Sequence, residues 1–156
     1  NGLEIKKKTD GTPVLKKRIC GNRFEGTNIY KRGEYYYLFA SIGTCCNGAT
    51  STYQTVVGRS KNVLGPYLDK TGRDMLYDYC EIIMSGNETW AGPGHNSILI
   101  QDDVGTDWII YHGYKKKEAE NGRYVLMDKL IWSNDGWPSV KSNAPSILEV
   151  APYFQK

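Results

Sequence analysis

The apolar residues of this chain come in runs of roughly four to eight, broken by Gly, Asn, Asp and Pro, with no sustained spacing of three to four residues. Runs of that length bounded by turn formers bury as strands and are too short for core helices, so the chain is read as all-β. One group of strands is predicted near 27–31, 34–41, 52–60 and 66–70, with Arg32-Gly33 turning the first hairpin. A second is predicted near 96–101, 107–114, 123–132 and 137–140. Each group has four strands, opens on a polar side chain and closes on a Gly-Pro-Tyr or Gly-Trp-Pro turn. Segments 71–90 and 141–156 are expected to be connecting loops with short strands.

The two groups form a repeat of about 70 residues, long for a small blade because the loops after Ser41 and Leu68 are extended. Four-stranded sheets set radially place the first strand of each nearest an axis, so residues at its mouth face a central cavity. Part of a β-propeller, about two to three blades, is therefore the preferred architecture. Roughly 26–70 forms one blade and 95–140 the next, within a single domain over 1–156. Two blades cannot close a ring, so the chain is expected either to lack N-terminal blades or to pair its units as a sandwich or between chains. A β-sandwich fits eight strands with regular turns as well. The opening NGLEIKKKTDGTPV reads as the end of a strand entering an Asp-Gly turn, as though the chain begins inside a fold, and no signal-like leader is visible in it.

At 156 residues the chain can bury one core, and it has no apolar run long enough to span a membrane as a helix. The net charge of +3 is small, and Lys6 to Lys8, Lys16 to Arg18 and Lys115 to Lys117 lie in turn-like stretches, where solvated loops explain them. Neither nucleic acid nor a membrane is expected as a partner. Of the four cysteines none shows zinc spacing. Cys45 and Cys46 are not expected to pair readily with each other, since that ring strains the peptide between them; the pairing of Cys20 and Cys80 stays open. The sequon at Asn87 is of a kind chance produces often and carries no weight.

Two strand starts carry chemistry. In FEGTNIYKRGEYYYLFAS, Glu25 stands before a glycine and an aromatic-rich hairpin that can hold it rigidly, as suits a proton donor to a departing glycosidic oxygen. Phe24 and the tyrosines that follow are expected to shield it from water, which keeps its proton available near neutral pH. In GPGHNSILIQDDVGTDWIIYHG, His95 lies between small residues that let the backbone approach something else. An imidazole there can bind a metal, orient a carboxylate or touch a sugar hydroxyl. If the two sheets share an axis, both side chains point into one polar pocket. His112, mid-strand in IIYHGY, reads as a satisfied structural histidine. With twelve tyrosines and four tryptophans against three phenylalanines, ring stacking on sugars is available, though strands favour aromatics for their own cores. Trp90 is the ring placed near a pocket. Asp69, Asp74, Asp102, Asp103 and Asp135 read as solvated turn residues, and Asp128 as paired with Lys129 or a backbone donor.

Taken together, FEGTNIYKRGEYYYLFAS, the CCNG and STY pieces, VVGRS before LGPYLDK, GPGHNSILIQDD, DWIIYHGY and LMDKLIWSNDGWP resemble the C-terminal half of glycoside hydrolase family 43, its endo-α-1,5-L-arabinanases above all, over about residues 2–140. The resemblance implies a five-bladed propeller that hydrolyses arabinose- or xylose-containing plant polysaccharides with inversion, using three carboxylates in a central pocket. It matches Glu25 to the general acid. It matches His95 to the histidine that faces a calcium or similar ion under the active site, and the Cys45-Cys46 region to a loop lining the cavity, so both cysteines and Trp90 become substrate-binding candidates. No organic cofactor is implied. The base and a second aspartate belong to earlier blades, so the chain alone is expected to be inactive and to need the N-terminal portion of the same propeller. Thr27-Asn28 departs from the family's usual pattern and leaves substrate choice open. Arabinan or an arabino/xylo-oligosaccharide is the expected substrate, in a secreted, periplasmic or cell-surface protein. An exo-acting α-L-arabinofuranosidase, a β-xylosidase and a non-catalytic carbohydrate-binding protein are the alternatives.

Overall fold

The structure, a computed structural model, describes residues 6–14 and 16–155. Among the described residues there is no α-helix, only short 3-10 turns, and no helix long and apolar enough to cross a membrane. The expected Asp-Gly turn is present: Lys7 pairs with Pro13, and the Asp10 carboxylate accepts from the backbone and hydroxyl of Thr12. The strand end expected ahead of it falls largely on residues 1–5, outside the described residues.

An antiparallel sheet runs β1 (Glu25–Arg32), β2 (Tyr35–Ile42), β3 (Gln54–Ser60) and β4 (Glu81–Met84) in that order. Its fourth strand is not the predicted 66–70. There Leu68 makes isolated bridges to Arg59 and Asp74 and no strand, and the Asp69 carboxylate gathers Thr71 and Arg73 into a tight turn that carries the chain away. Ile83 and Met84, both buried, take the place beside β3, so this sheet runs on to Met84 rather than ending at 70.

The second sheet is built on β7 (Asp107–Lys115). Along one edge of β7 lie β5 (Trp90–Gly94) and then β6 (Ile100–Gln101), paired with positions 112–115 and 107–108. Along the other edge lies β8 (Arg123–Lys129), while β9 (Ile131–Trp132) and β10 (Pro138–Ser139) pair with each other in a separate two-stranded sheet, so the predicted strand near 137–140 does not join this one. The sheet thus starts at Trp90 instead of near 96. Pro93 has no N–H for a ladder, and the register shifts between Ala91 and Gly94, which is how a Gly-Pro-Gly stretch that reads as a turn is held in a strand.

Alternation along β2 explains the core. Tyr37 and Phe39 face one way, packing with Val57, Met84, Ile109, Tyr111 and Trp137 from both sheets. Leu38, Ala40 and Ile42 face the other way, packing with Val56, Phe24, Tyr67 and Met75. Buried on both faces, the strand reads as the near-continuous apolar run YYYLFASI.

Several turn carboxylates are structural. Asp69 and Asp102, expected to be solvated, are buried. Asp102 accepts from the Trp108 indole and from the backbone of Thr106, and burial, which alone would raise its pKa, is outweighed by those donors so that the pKa lies below the usual value. Asp107 ties the sheets together by accepting from the Tyr30 hydroxyl at 2.6 Å and the Trp132 indole at 2.8 Å. Asp128 takes the Tyr111 hydroxyl and, of its two expected partners, a backbone donor, the Ser146 N–H, while Lys129 lies 3.5 Å from Glu149. The sequon residue Asn87 is committed to its own turn, accepting from Thr89 and Trp90 and donating to Pro145 O. Cys20 and Cys80 are free thiols, and burial pushes Cys80 up to about 11, far from a reactive thiolate.

Candidate active site

Glycine spacing brings the two strand starts together. Gly94 stands opposite His112 in the ladder, and a side chain there would collide with the Tyr53 ring, so only hydrogen lets that ring lie on the strand. Gly26 has φ +55, and a Cβ on it would sit 3.0 Å from the His95 ring. The segment around His95 is pinned from the first sheet: its N–H donates to Ser41 Oγ at 2.7 Å, and Asn28 Nδ2 donates to Ser97 O at 3.1 Å. His95 itself has φ +52, a conformation a non-glycine residue keeps only where its surroundings enforce it.

Glu25 and His95 therefore converge as expected, and the residue that joins them is Tyr53. Its hydroxyl donates to Glu25 Oε2 at 3.1 Å and lies 3.4 Å from His95 Nδ1. A phenol has one proton; when it goes to Glu25, the contact with His95 needs the proton on Nδ1, leaving Nε2 with the free lone pair. Burial, and then the bond to Glu25, push the Tyr53 phenol up to about 12, so it remains a neutral donor at physiological pH.

The expected shield of Glu25 is not formed. Phe24 turns into the second core cluster, Tyr30 goes to Asp107 and Tyr37 to Gly136 O, so Glu25 is exposed and held by Tyr53 alone among the tyrosines. Adjacent positions on an extended strand face opposite ways, which removes Phe24 from the side Glu25 occupies. Nor is His112 satisfied. Its ring stacks on Tyr53 (centroids 5.9 Å apart, planes at 20°) and on His95 (6.1 Å, 22°), Nε2 lies 3.5 Å from Arg123, and Nδ1 is buried with no partner among the described residues. Burial first, then the Arg123 and His95 charges, lower its pKa and keep it neutral.

Cys45 and Cys46 are joined by a disulfide, against expectation. Their loop is fixed at both ends, by Thr44 and Thr52 bonded to each other and by Asn47 N donating to Ser51 Oγ, which holds the two side chains adjacent. The loop leads straight into the site, since Tyr53 N donates to Thr44 O. Trp90 is buried, its ring edge-on to Tyr124 and its indole N–H unpartnered; no hydrogen bond or ring contact among the described residues links it to Glu25, Tyr53 or His95. Tyr53, Ser41 and His112 are the site residues that sequence reasoning missed or misread.

Among the described residues no group of three or more His, Cys, Asp or Glu is placed to hold a metal ion. Calcium takes six to eight oxygens, and the side chains gathered here are one carboxylate, one phenol and two imidazoles, so the residues present do not make up a calcium shell.

A solvent-facing carboxyl group fixed by a neutral phenol and backed by imidazoles has the chemistry to exchange a proton with a polar molecule. Residues 4–138 match the model of Glycosyl hydrolases family 43, and the chain belongs to that family. It is 45% identical over 118 residues to the extracellular exo-alpha-(1->5)-L-arabinofuranosidase ArbA of Cellvibrio japonicus, covering 76% of this chain and 33% of the relative. Against the extracellular endo-alpha-(1->5)-L-arabinanase 1 of Bacillus subtilis the identity is 41% over 120 residues, 76% of this chain and 35% of that protein. The structure of a Cellvibrio cellulosa alpha-L-arabinanase complexed with arabinohexaose superposes with a TM-score of 0.72 at 44% identity, over 77% of this chain and 37% of the other. The chain thus spans about a third of the length of these curated relatives.

Proposed function

We propose that this chain carries the proton-donating side of an arabinan-cleaving glycosidase of the inverting, endo-arabinanase type, with Glu25 as general acid. The observation that carries the reading is the Tyr53 hydroxyl, which fixes an otherwise solvent-facing Glu25 carboxyl group 3.1 Å away while meeting His95. A donor to a departing glycosidic oxygen has to be accessible to substrate and yet held in one orientation. Its complement is a carboxylate base on the opposite face of the sugar, separated from Glu25 by about 6.5–9.5 Å so that a water fits between them. That base and a further aspartate come from outside this chain.

The two sheets are then successive blades of a five-bladed propeller. Their shared core and the meeting of their strand starts support this, and the strongly exposed Val125 on β8, at 80%, is apolar surface that a further blade would cover. The Cys45–Cys46 loop, which holds the backbone of Tyr53, lines the cavity, and Trp90, buried against Tyr124, is given no contact with substrate. No step is assigned to an ion, because one beside His95 would have to draw its oxygens from water or from other parts of the protein. Relatives named extracellular support secretion.

Glu25→Gln in the full-length protein is expected to lower arabinan hydrolysis by about 10²- to 10⁴-fold with folding intact. Near-normal turnover would remove Glu25 from the mechanism, and retained arabinan binding by a wild type that never cleaves it would favour a binding protein. A second reading is exo action, favoured by the 45% identity to a protein named an exo-arabinofuranosidase. Early products separate the two: oligomers from endo cleavage, single or short sugars released from chain ends by exo cleavage.

A further inference from the structure

We propose that His112 is the positioning residue of this site: its ring is the common floor on which Tyr53 and His95 rest, and without it the Tyr53 hydroxyl leaves Glu25. The inference rests on the reading of Glu25 as the acid. Tyr53 is fixed at its tip by Glu25 and His95, but the tip alone leaves the ring free to swing. Its body is held by Gly94, which offers no side chain, and by the face of His112. His95 stacks on that same imidazole. His112 is itself among the best-fixed residues of the second sheet, paired to Gly94 on one side and Val125 on the other, in the middle of the longest strand.

The nitrogens of His112 do little for this. Nδ1 is buried and unpartnered among the described residues, and Nε2 has only the long approach to Arg123. An unpartnered buried nitrogen is a cost, which a phenyl ring of similar outline would not carry. The flat face is therefore the part the site uses, and a neutral ring stacks on its neighbours without charge repulsion.

The test uses the full-length enzyme on arabinan with His112→Ala, His112→Phe and Glu25→Gln. His112→Ala should lower kcat by about 10-fold, as far as loss of the Tyr53 hydroxyl itself does and no further, with KM within about twofold. His112→Phe should restore kcat to within about threefold of wild type, with Tm equal or higher. Because Tyr53 is the group being positioned, Tyr53→Phe added to His112→Ala should cost little more than the worse single change. The proposal is overturned if folded His112→Ala keeps normal kcat, if only KM rises, or if His112→Phe is as impaired as alanine, which would make the nitrogens the working part. Should the alanine variant not fold, the phenylalanine variant alone decides by the same criterion. Full activity in Glu25→Gln would instead sink the acid assignment; an inactive Glu25→Gln beside a normal His112→Ala sinks only this inference.

Discussion

The two strand starts differ in how they present their polar residue. Glu25 opens β1, as a residue at the end of a regular strand does, and its side chain reaches into solvent with one phenol to hold it. His95 does not open a strand; it sits in the gap between β5 and β6, in a left-handed conformation, with its backbone bonded across to Ser41. The first residue is held at its tip by one phenol and the second at its root by its backbone. That division suits a group that must meet a leaving oxygen from solvent in one orientation, set against a ring whose backbone holds it in place. Tyr53, which belongs to neither strand start, is where the two are made to meet.

The largest expected effect on this arrangement comes from filling the space between them. Gly94→Ala drives a methyl group into the Tyr53 ring, and overpacking of that kind costs about 1–3 kcal/mol; arabinan turnover in the full-length protein should fall by about 10²-fold as Tyr53 shifts. Removing only the tip is gentler. Tyr53→Phe loses the hydroxyl's bond to Glu25 and its contact with His95; at about 0.5–1.5 kcal/mol for the bond, Tm should fall by a few degrees and kcat about 10-fold, measured by calorimetry and steady-state kinetics. Ser41→Ala frees the His95 backbone without touching Glu25, so denaturant melts should show a loss of about 1 kcal/mol and kinetics a smaller drop than Tyr53→Phe. If Ser41→Ala proves the more damaging to turnover, the backbone hold on His95 matters more than the phenol's hold on Glu25.

A last effect lies away from the site. Asp102 titrates below the ordinary aspartate value in the folded chain, so its stabilisation is present above that ordinary value and is lost as pH falls through the lower folded one. Acid melts should show wild type losing Tm faster than Asp102→Asn on going from pH 5 to pH 2, the reverse of what a solvated aspartate would give.

The first three strands, the second-sheet strands at 100–101, 107–115 and 123–129, and the meeting of Glu25 with His95 were legible because apolar runs and small residues are local signals, whereas the strand predicted at 137–140 belongs to a separate two-stranded pair with 131–132. The fourth strand was not. Segment 66–70 carries a strand pattern, and what separates it from 81–84 is Asp69 turning the chain, a choice made by hydrogen bonds spanning two and four residues. Tyr53 was hidden for a different reason: in STYQTVV it looks like one more strand aromatic, and its role depends on Gly94, forty-one positions away, lacking a side chain. His112 was misread because mid-strand histidines are usually paired, and only three-dimensional packing shows one left with a bare nitrogen. The disulfide ring of Cys45 and Cys46 depends likewise on threonine and serine bonds that close the loop around it.

The central claim, that Glu25 is the proton donor, is tested most directly by varying the need for a proton. In the full-length protein, Glu25→Gln should lose about 10²- to 10⁴-fold on arabinan yet retain most of its rate on a dinitrophenyl arabinofuranoside, whose leaving group departs without protonation. An equal loss on both substrates would contradict that assignment and place Glu25 in some other role.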